Sequence, residues 1–542
     1  MRSVDVNLKA SNSFANDYLY DFDKLKELFT YDPYVSQSCA ERYQYLLSRP
    51  HSSRATVVKV LTEYNRELGA GQETLDNIAL LAQAETAVVV TGQQAGLLGG
   101  PLYTVYKALT AIQLAKKYST QLNRPVIPVF WIASEDHDFG EINHFHILDR
   151  QGKPARIRLE TEPKGKFSIG DIAVPPEAEA VLTQLAEATI DTEFKPDLLD
   201  FLGDSARECK NLADWFGRIL LSWLGSTGLV MLNPMDPSLR NLEADLFRQA
   251  VDNAPQVNTL LSEVGAELSS KGYPVGVEKE QDNLNLFMYH NGERLALIKT
   301  GTGYSLKGTE ESFSRDRLFE LIEAEPERFS PNVILRPLTQ ELLLPTLAYV
   351  GGPGEINYFS QYKEIFELFN LQMPIIYPRV NITLIEGSIE NYLNKYNLTL
   401  EDVLFNLDEI RQQLLVASDP VGIDNVFQEL HQSVAEAYSK AVGVIKEIDP
   451  MLDKLGRENQ ERVLSQIDWL KSKTQQAHRK DNDVALRQLE KLANNLSPSG
   501  NVQERFLSAM YFAIKYGREF FDSLNEIDLV GSVAHKMLFL KN

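Results

Sequence analysis

The stretch TAVVVTGQQAGLLGGP, residues 86–101, runs a short β-branched apolar segment into a glycine-rich loop, and a helical pattern starts at about Leu102. β-Branched residues suit a buried pleated strand, and glycines let a backbone turn sharply or approach another group closely. The second apolar run, VIPVFWIA over residues 126–133, ends in the polar cluster SEDHDFGE. Strand, loop, helix and strand make a βαβ unit, the seed of a doubly wound parallel sheet. Further apolar runs at Gly228–Leu232, Val333–Leu335, Leu347–Val350 and Pro374–Tyr377 are read as more strands of that sheet. The fold class is therefore α/β.

Around this core the pattern changes. Residues 13–85 carry helical periodicity (Leu25, Leu28, Leu46, Val57, Leu61, Leu75, Leu80) and form an N-terminal helical layer. Residues 274–306 alternate about an Asn291-Gly292 pair, the signature of an antiparallel hairpin. The expected insertions lie at about 150–225 and 260–330, within a core spanning 1–380. From residue 424, Val426, Leu430, Val434, Ala437, Ala441, Val444, Ile448, Met451 and Leu455 mark a heptad seam. A second helix through Val463, Ile467, Leu470, Ala477, Leu486, Leu489 and Leu496 is expected to turn back from near Gly456 or later. Residues 381–500 thus read as an antiparallel α-helical coiled coil, and 501–542 as a helical tail packing back on the core.

The 542 residues carry 54 basic and 75 acidic side chains, a formal charge of -21. That charge repels nucleic acid and anionic membranes. Two distant cysteines, Cys39 and Cys209, lack metal-site spacing and fit a reducing compartment. The N-terminus has no secretory apolar core, and no apolar run reaches a membrane's thickness. The expectation is a cytoplasmic protein.

Two motifs end adjacent parallel strands, where open α/β sheets bind ligands. In the first, Thr91, Gly92, Gln93, Gly96, Gly99 and Gly100 are candidates for cradling phosphate or carboxylate, and Gln94 for orienting it. The loop matches neither the Walker A nor the G-x-G-x-x-G pattern. In the second, His137 between Asp136 and Asp138 is a candidate base, and the carboxylates can hold an amine or Mg²⁺. His144 and His146 would complete a transition-metal site, but their alternation with Phe145 and Ile147 assigns them to a strand leading away, so no tightly bound transition metal is expected. A second strand, glycine loop, helix pattern supplies Gly351 and Gly352, and Arg379 follows the strand PIIY as a candidate cation. Each motif also has a plainer reading as a tight turn, a solvated acidic loop or a surface arginine.

The segments TGQQAGLLGGPLYTVYKALTAI, PVFWIASEDHDFGEIN and LRPLTQELLLPTLAYVGGPGEINYFSQYKEIF, in that order, resemble the bacillithiol biosynthesis cysteine-adding enzyme (BshC) family along essentially the whole chain. The resemblance implies a Rossmann-like core similar to class I nucleotidyltransferases, with connecting-peptide insertions and a coiled coil that pairs subunits into a homodimer. It implies a ligase that joins cysteine to glucosaminyl malate through an amide. A carboxylate is a poor electrophile, so ATP or another adenine nucleotide, with Mg²⁺ as an optional companion, is expected to activate it. A metabolite-binding scaffold and a metal-dependent hydrolase using His137, His144 and His146 are the alternatives.

Overall fold

The computed structural model describes residues 1–9, 12–49, 51, 53–160, 162–278, 280–419 and 422–540. The chain divides into two units, Met1–Leu384 with Gln503–Lys541, and Ile385–Val502. The first is built on five parallel strands: β1 (Ala87–Gln93), β2 (Val126–Ile132), β3 (Val230–Leu232), β4 (Thr346–Gly351) and β5 (Ile375–Pro378). Their spatial order is β3-β2-β1-β4-β5. The direction of winding reverses between β1 and β4, the switch point of a Rossmann-like sheet.

Both faces of this sheet are covered, which is why its strands read as continuous apolar runs. Val88 and Val90 pack with Val57, Leu61 and Ile78 of the N-terminal helices. Val89, on the opposite face, packs with Ala111 and Leu114 of helix α1 (Leu102–Leu122). Three further helices frame the strand ends: α2 (Pro237–Ser270), α3 (Arg336–Leu343) and α4 (Pro353–Phe359). The helix Leu212–Leu224, inside the span read as an insertion, buries Trp215, Phe216 and Ile219 with Phe130 and Ile132 of β2. It therefore covers the parallel sheet.

One expected strand is absent. Val333–Leu335 belongs to no sheet, because the Asn332 side chain accepts hydrogen bonds from the backbone N–H of Ile334 (2.8 Å) and Leu335 (3.2 Å) and turns the chain into α3. The nearby strand, Phe329–Pro331, pairs antiparallel with Asn283–His290. The latter forms the expected hairpin with Glu293–Thr300, and Asn291 and Gly292 both adopt positive φ (51° and 82°) at its turn.

The tail is not wholly helical: His535–Phe539 pairs antiparallel with Arg2–Val6, tying the N-terminal segment to the C-terminal one. His535 is half-buried in that strand, its Nε2 2.8 Å from Thr383 Oγ1, and burial, with Arg379 as a further opposing charge, pushes its pKa down from 6.5 to about 4. Burial does the same for His51 and His146. An unfolded histidine binds its proton near pH 6.5, before these folded ones do. Their contribution to stability is thus complete above pH 6.5 and is lost as pH falls toward 4. Denaturant midpoints measured between pH 7 and 4 are expected to fall across that window, and less steeply in His535→Gln; parallel slopes would refute the assignment to His535.

In the second unit, α5 (Ile423–Ile448) and α6 (Leu452–Asp481) run antiparallel, with Tyr438 bonded to Asn459 (3.0 Å) and Lys471 to Asp424 (2.6 Å). The turn lies at Asp449–Met451 and not at Gly456. That glycine is inside α6, where an added Cβ would meet Val442 at 2.8 Å, so it marks close helix contact. The second long helix also breaks at Asn482 before α7 (Asp483–Leu496). The helix contact uses Val442 and Ile445, whereas Val444, Ile448 and Met451 of the expected seam are 60–84% exposed.

Candidate functional site

A cavity of about 420 Å³ opens at the ends of β1, β2 and β4, the switch point of the sheet. Gly92, Gln93 and Gln94 enter from β1 and its loop, Asp136 from the turn after β2, and Gly352 and Glu355 from the start of α4. Gln94 Nε2 donates to Asp136 Oδ2 at 2.7 Å, which joins the two sequence motifs directly. Asp136 Oδ1 accepts from the His137 backbone N–H at 2.8 Å. Burial works against the Asp136 carboxylate, but the Gln94 hydrogen bond and the charges of Arg336 and Arg294 outweigh it, and its pKa lies below the ordinary range. Asp136 is an ionised acceptor at the cavity wall.

The floor is a pair that sequence reasoning did not select. Lys107 of α1, only 2% exposed, is ion-paired with Glu355 and donates to Gly92 O (2.6 Å) and Gln93 Oε1 (3.0 Å). Glu355 also accepts from Tyr349 OH (2.5 Å) and from Gly352 N–H (2.8 Å). Burial lowers the Lys107 pKa, against the pull of Glu355. Lys107 could have been noticed as the lone charge in the apolar helical run LYTVYKALTAI. The brace joins the two strand-loop-helix units on either side of the switch point.

Arg336 was likewise unselected. It lines the cavity, and its Nε is buried without a hydrogen-bond partner among the described residues. Arg505, exposed, stands at the same cavity. Arg379 lines it too, but its guanidinium is held by Glu504 at 2.7 Å and by Val380 O at 2.9 Å, so its charge is already neutralised. Among the described residues Arg336 thus brings a cation with an unpartnered Nε to the wall, and its charge acts on Asp136.

The remaining expected residues serve the framework. Thr91 is fully buried and donates to Val350 O at 2.9 Å, stitching β1 to β4. Gly96, Gly99 and Gly100 do not line the cavity; they sit in a buried turn where a Cβ on Gly99 would strike Trp223 at 2.7 Å and one on Gly96 would meet the Gly100 backbone at 2.9 Å. Gly351 lies in β4, out of the cavity lining. Asp138 caps the short helix Phe139–Ile142 through the Glu141 N–H and also stays outside the lining.

His137 turns toward the insertion, with its Nδ1 3.3 Å from Arg294. His144 and His146 lie in the strand His144–Leu148, where their rings meet edge to face at 5.3 Å and His146 stacks on Phe506 at 4.2 Å. Among the described residues no group of three or more His, Cys, Asp or Glu is placed to hold a metal ion.

The loop after β2 is clamped from two sides. Ser168 Oγ donates to Glu135 O (2.8 Å), and the backbone N–H groups of Ile169 and Gly170 donate to Asp136 O and Ser134 O. Beneath it, Glu135, Arg240 and Glu243 form a buried ion-pair triad, each at most 1% exposed.

This architecture matches two family models end to end: the N-terminal Rossmann-like domain of bacillithiol biosynthesis BshC over residues 1–380, and the BshC C-terminal coiled-coil domain over residues 382–540. The chain belongs to the BshC family. Curated relatives agree along their whole length. Proteins named "Putative cysteine ligase BshC" from Desulforamulus reducens and Symbiobacterium thermophilum are 38% and 37% identical, covering 99% and 96% of this chain and 100% and 97% of their own. The protein of the same name from Bacillus cytotoxicus is 32% identical over 97% of both chains. No helix among the described residues of this BshC-family chain is long and apolar enough to cross a membrane.

Proposed function

We propose that this chain is a cysteine ligase that completes bacillithiol by joining the carboxyl group of cysteine to the amine of glucosaminyl malate. The observation that carries the reading is a switch-point cavity lined by an ionised Asp136 and by Arg336, whose Nε has no hydrogen-bond partner among the described residues. Both substrates carry carboxylate and amine groups, and the cavity offers an anion, Asp136, that suits an amine and a cation, Arg336, that suits a carboxylate.

The cysteine carboxylate must first be activated. Attack of its oxygen on the α-phosphorus of ATP releases pyrophosphate and leaves an acyl adenylate. The free amine then attacks the carbonyl, AMP departs, and one proton leaves nitrogen. That nitrogen becomes acidic only as the new bond forms, so an Asp136 held ionised suffices to receive the proton. Arg336 balances the carboxylate or the charge that builds on the departing group.

Incubating the purified chain with cysteine, glucosaminyl malate and ATP tests the activity: bacillithiol should appear together with AMP. Thiol production that consumes no nucleotide would retain the ligase and overturn the activation step, and no thiol under any activating cosubstrate would overturn the ligase.

The exposed apolar side chains Val444, Ile448 and Met451 support pairing of two copies through the coiled coil into a homodimer, and a cytoplasmic location is part of the same reading. Val444→Glu with Ile448→Glu should give a monomer by light scattering with an unchanged first unit; a persisting dimer would place the contact elsewhere.

A further inference from the structure

Arg294 is 3% exposed and lies on the hairpin strand Glu293–Thr300, outside the parallel sheet. A buried guanidinium ordinarily carries a carboxylate partner. This one is paired with none among the described residues. Its Nε donates to Ser330 Oγ (2.8 Å), one terminal nitrogen donates to Pro331 O (2.7 Å), and its plane rests on Phe287, 3.8 Å from the ring centre. Three contacts fix the group, and its remaining terminal nitrogen points at His137 Nδ1, 3.3 Å away. Phe287 also meets the imidazole edge-on at 5.7 Å, so the same aromatic ring orients both partners.

A guanidinium has donors and no acceptor. The nitrogen that faces it must present a lone pair, which places the proton of the neutral ring on Nε2. We infer that Arg294 is a positioning residue that fixes His137, the neighbour of the cavity-lining Asp136, as the Nε2–H tautomer, so that the ring presents a hydrogen-bond donor and not a base. The cation beside Nδ1 also opposes a second proton; burial, Arg294 and Lys166 lower the His137 pKa against the pull of Asp136 and Asp138. Nε2 has no hydrogen-bond partner among the described residues, which leaves its N–H available. Asp136 then remains as the proton acceptor of this loop. The inference about catalysis rests on the ligase reading; the tautomer does not.

The two are separable with the full-length protein labelled with ¹⁵N-histidine. At neutral pH, His137, assigned by its loss in His137→Gln, should show an unprotonated Nδ1 and a protonated Nε2. Arg294→Gln should shift this toward a mixture of tautomers, and Arg294→Lys, which keeps a cationic donor, should preserve it. A wild-type Nδ1–H tautomer would overturn the inference, and so would an unchanged pattern in a folded Arg294→Gln. If Arg294→Gln fails to fold, the wild-type and Arg294→Lys spectra still decide. In turnover, Arg294→Gln should lower kcat about tenfold or more with KM nearly unchanged. The inferred tautomer with an undiminished kcat would leave the positioning intact and overturn the place of this loop in the ligase reaction.

Discussion

Asp136→Asn is expected to lower amide formation by about a hundred- to ten-thousand-fold, the range for losing a positioned acid-base group. The melting temperature should hardly move. Asparagine keeps the shape and can still accept from the His137 N–H, which holds Asp136 Oδ1 at 2.8 Å, while it removes the charge that receives the amine. The side chain contributes little to core burial, so the change falls on chemistry and not on folding. Initial rates of thiol formation, set beside thermal melts of the same preparation, decide the matter. A folded variant within about threefold of the parent would remove Asp136 from the reaction. Loss of rate with loss of fold would mean that the turn after β2 is held together by this residue.

The largest effect on stability is expected at Arg240. It stands between Glu135 and Glu243 in the dry layer between α2 and the loop after β2, and all three are at most 1% exposed. Arg240→Ala would leave two carboxylates buried without a cation, a cost of about 3–5 kcal/mol for breaking one such pair. Burial already raises the pKa of Glu243 even with the arginine present. Because Glu135 directly precedes Asp136, rate should fall along with stability. Arg315→Ala is the comparison: its two-pronged pair with Asp252 is about half exposed, and surface pairs contribute about 0–1 kcal/mol. Urea unfolding of both variants tests the contrast, and equal midpoints would show that the triad is neutral in the fold. Glu135→Gln with Glu243→Gln in the Arg240→Ala background should recover part of the loss by removing the stranded charges.

The sequence by itself determined the doubly wound core, because two-sided burial writes each parallel strand as an unbroken apolar run, although the three-residue run Val333–Leu335 imitated one while turning into a helix. Residues 86–101 and 126–133 therefore located β1 and β2 to within a residue or two, and their polar ends named Gln94 and Asp136, which do meet. The long helices of the second unit were legible from their heptads. Which apolar positions face inward was not, since Val442 and Val444 differ only in the rotation of α5.

Only the tertiary structure decided the charge balance of the cavity. Arg379 looked free in the sequence and is neutralised by Glu504, 125 residues away. Lys107, Glu355 and Arg336 stand on helices far apart in sequence, and folding brought them to one switch point. Likewise the glycines of the first loop read as a phosphate cradle, while Gly99 in fact makes room for Trp223. Periodicity records which side of its own element a residue occupies. Whether a charge is compensated, or a glycine's missing Cβ faces a ligand or a tryptophan, depends on chain segments far away in sequence, and no local pattern encodes them.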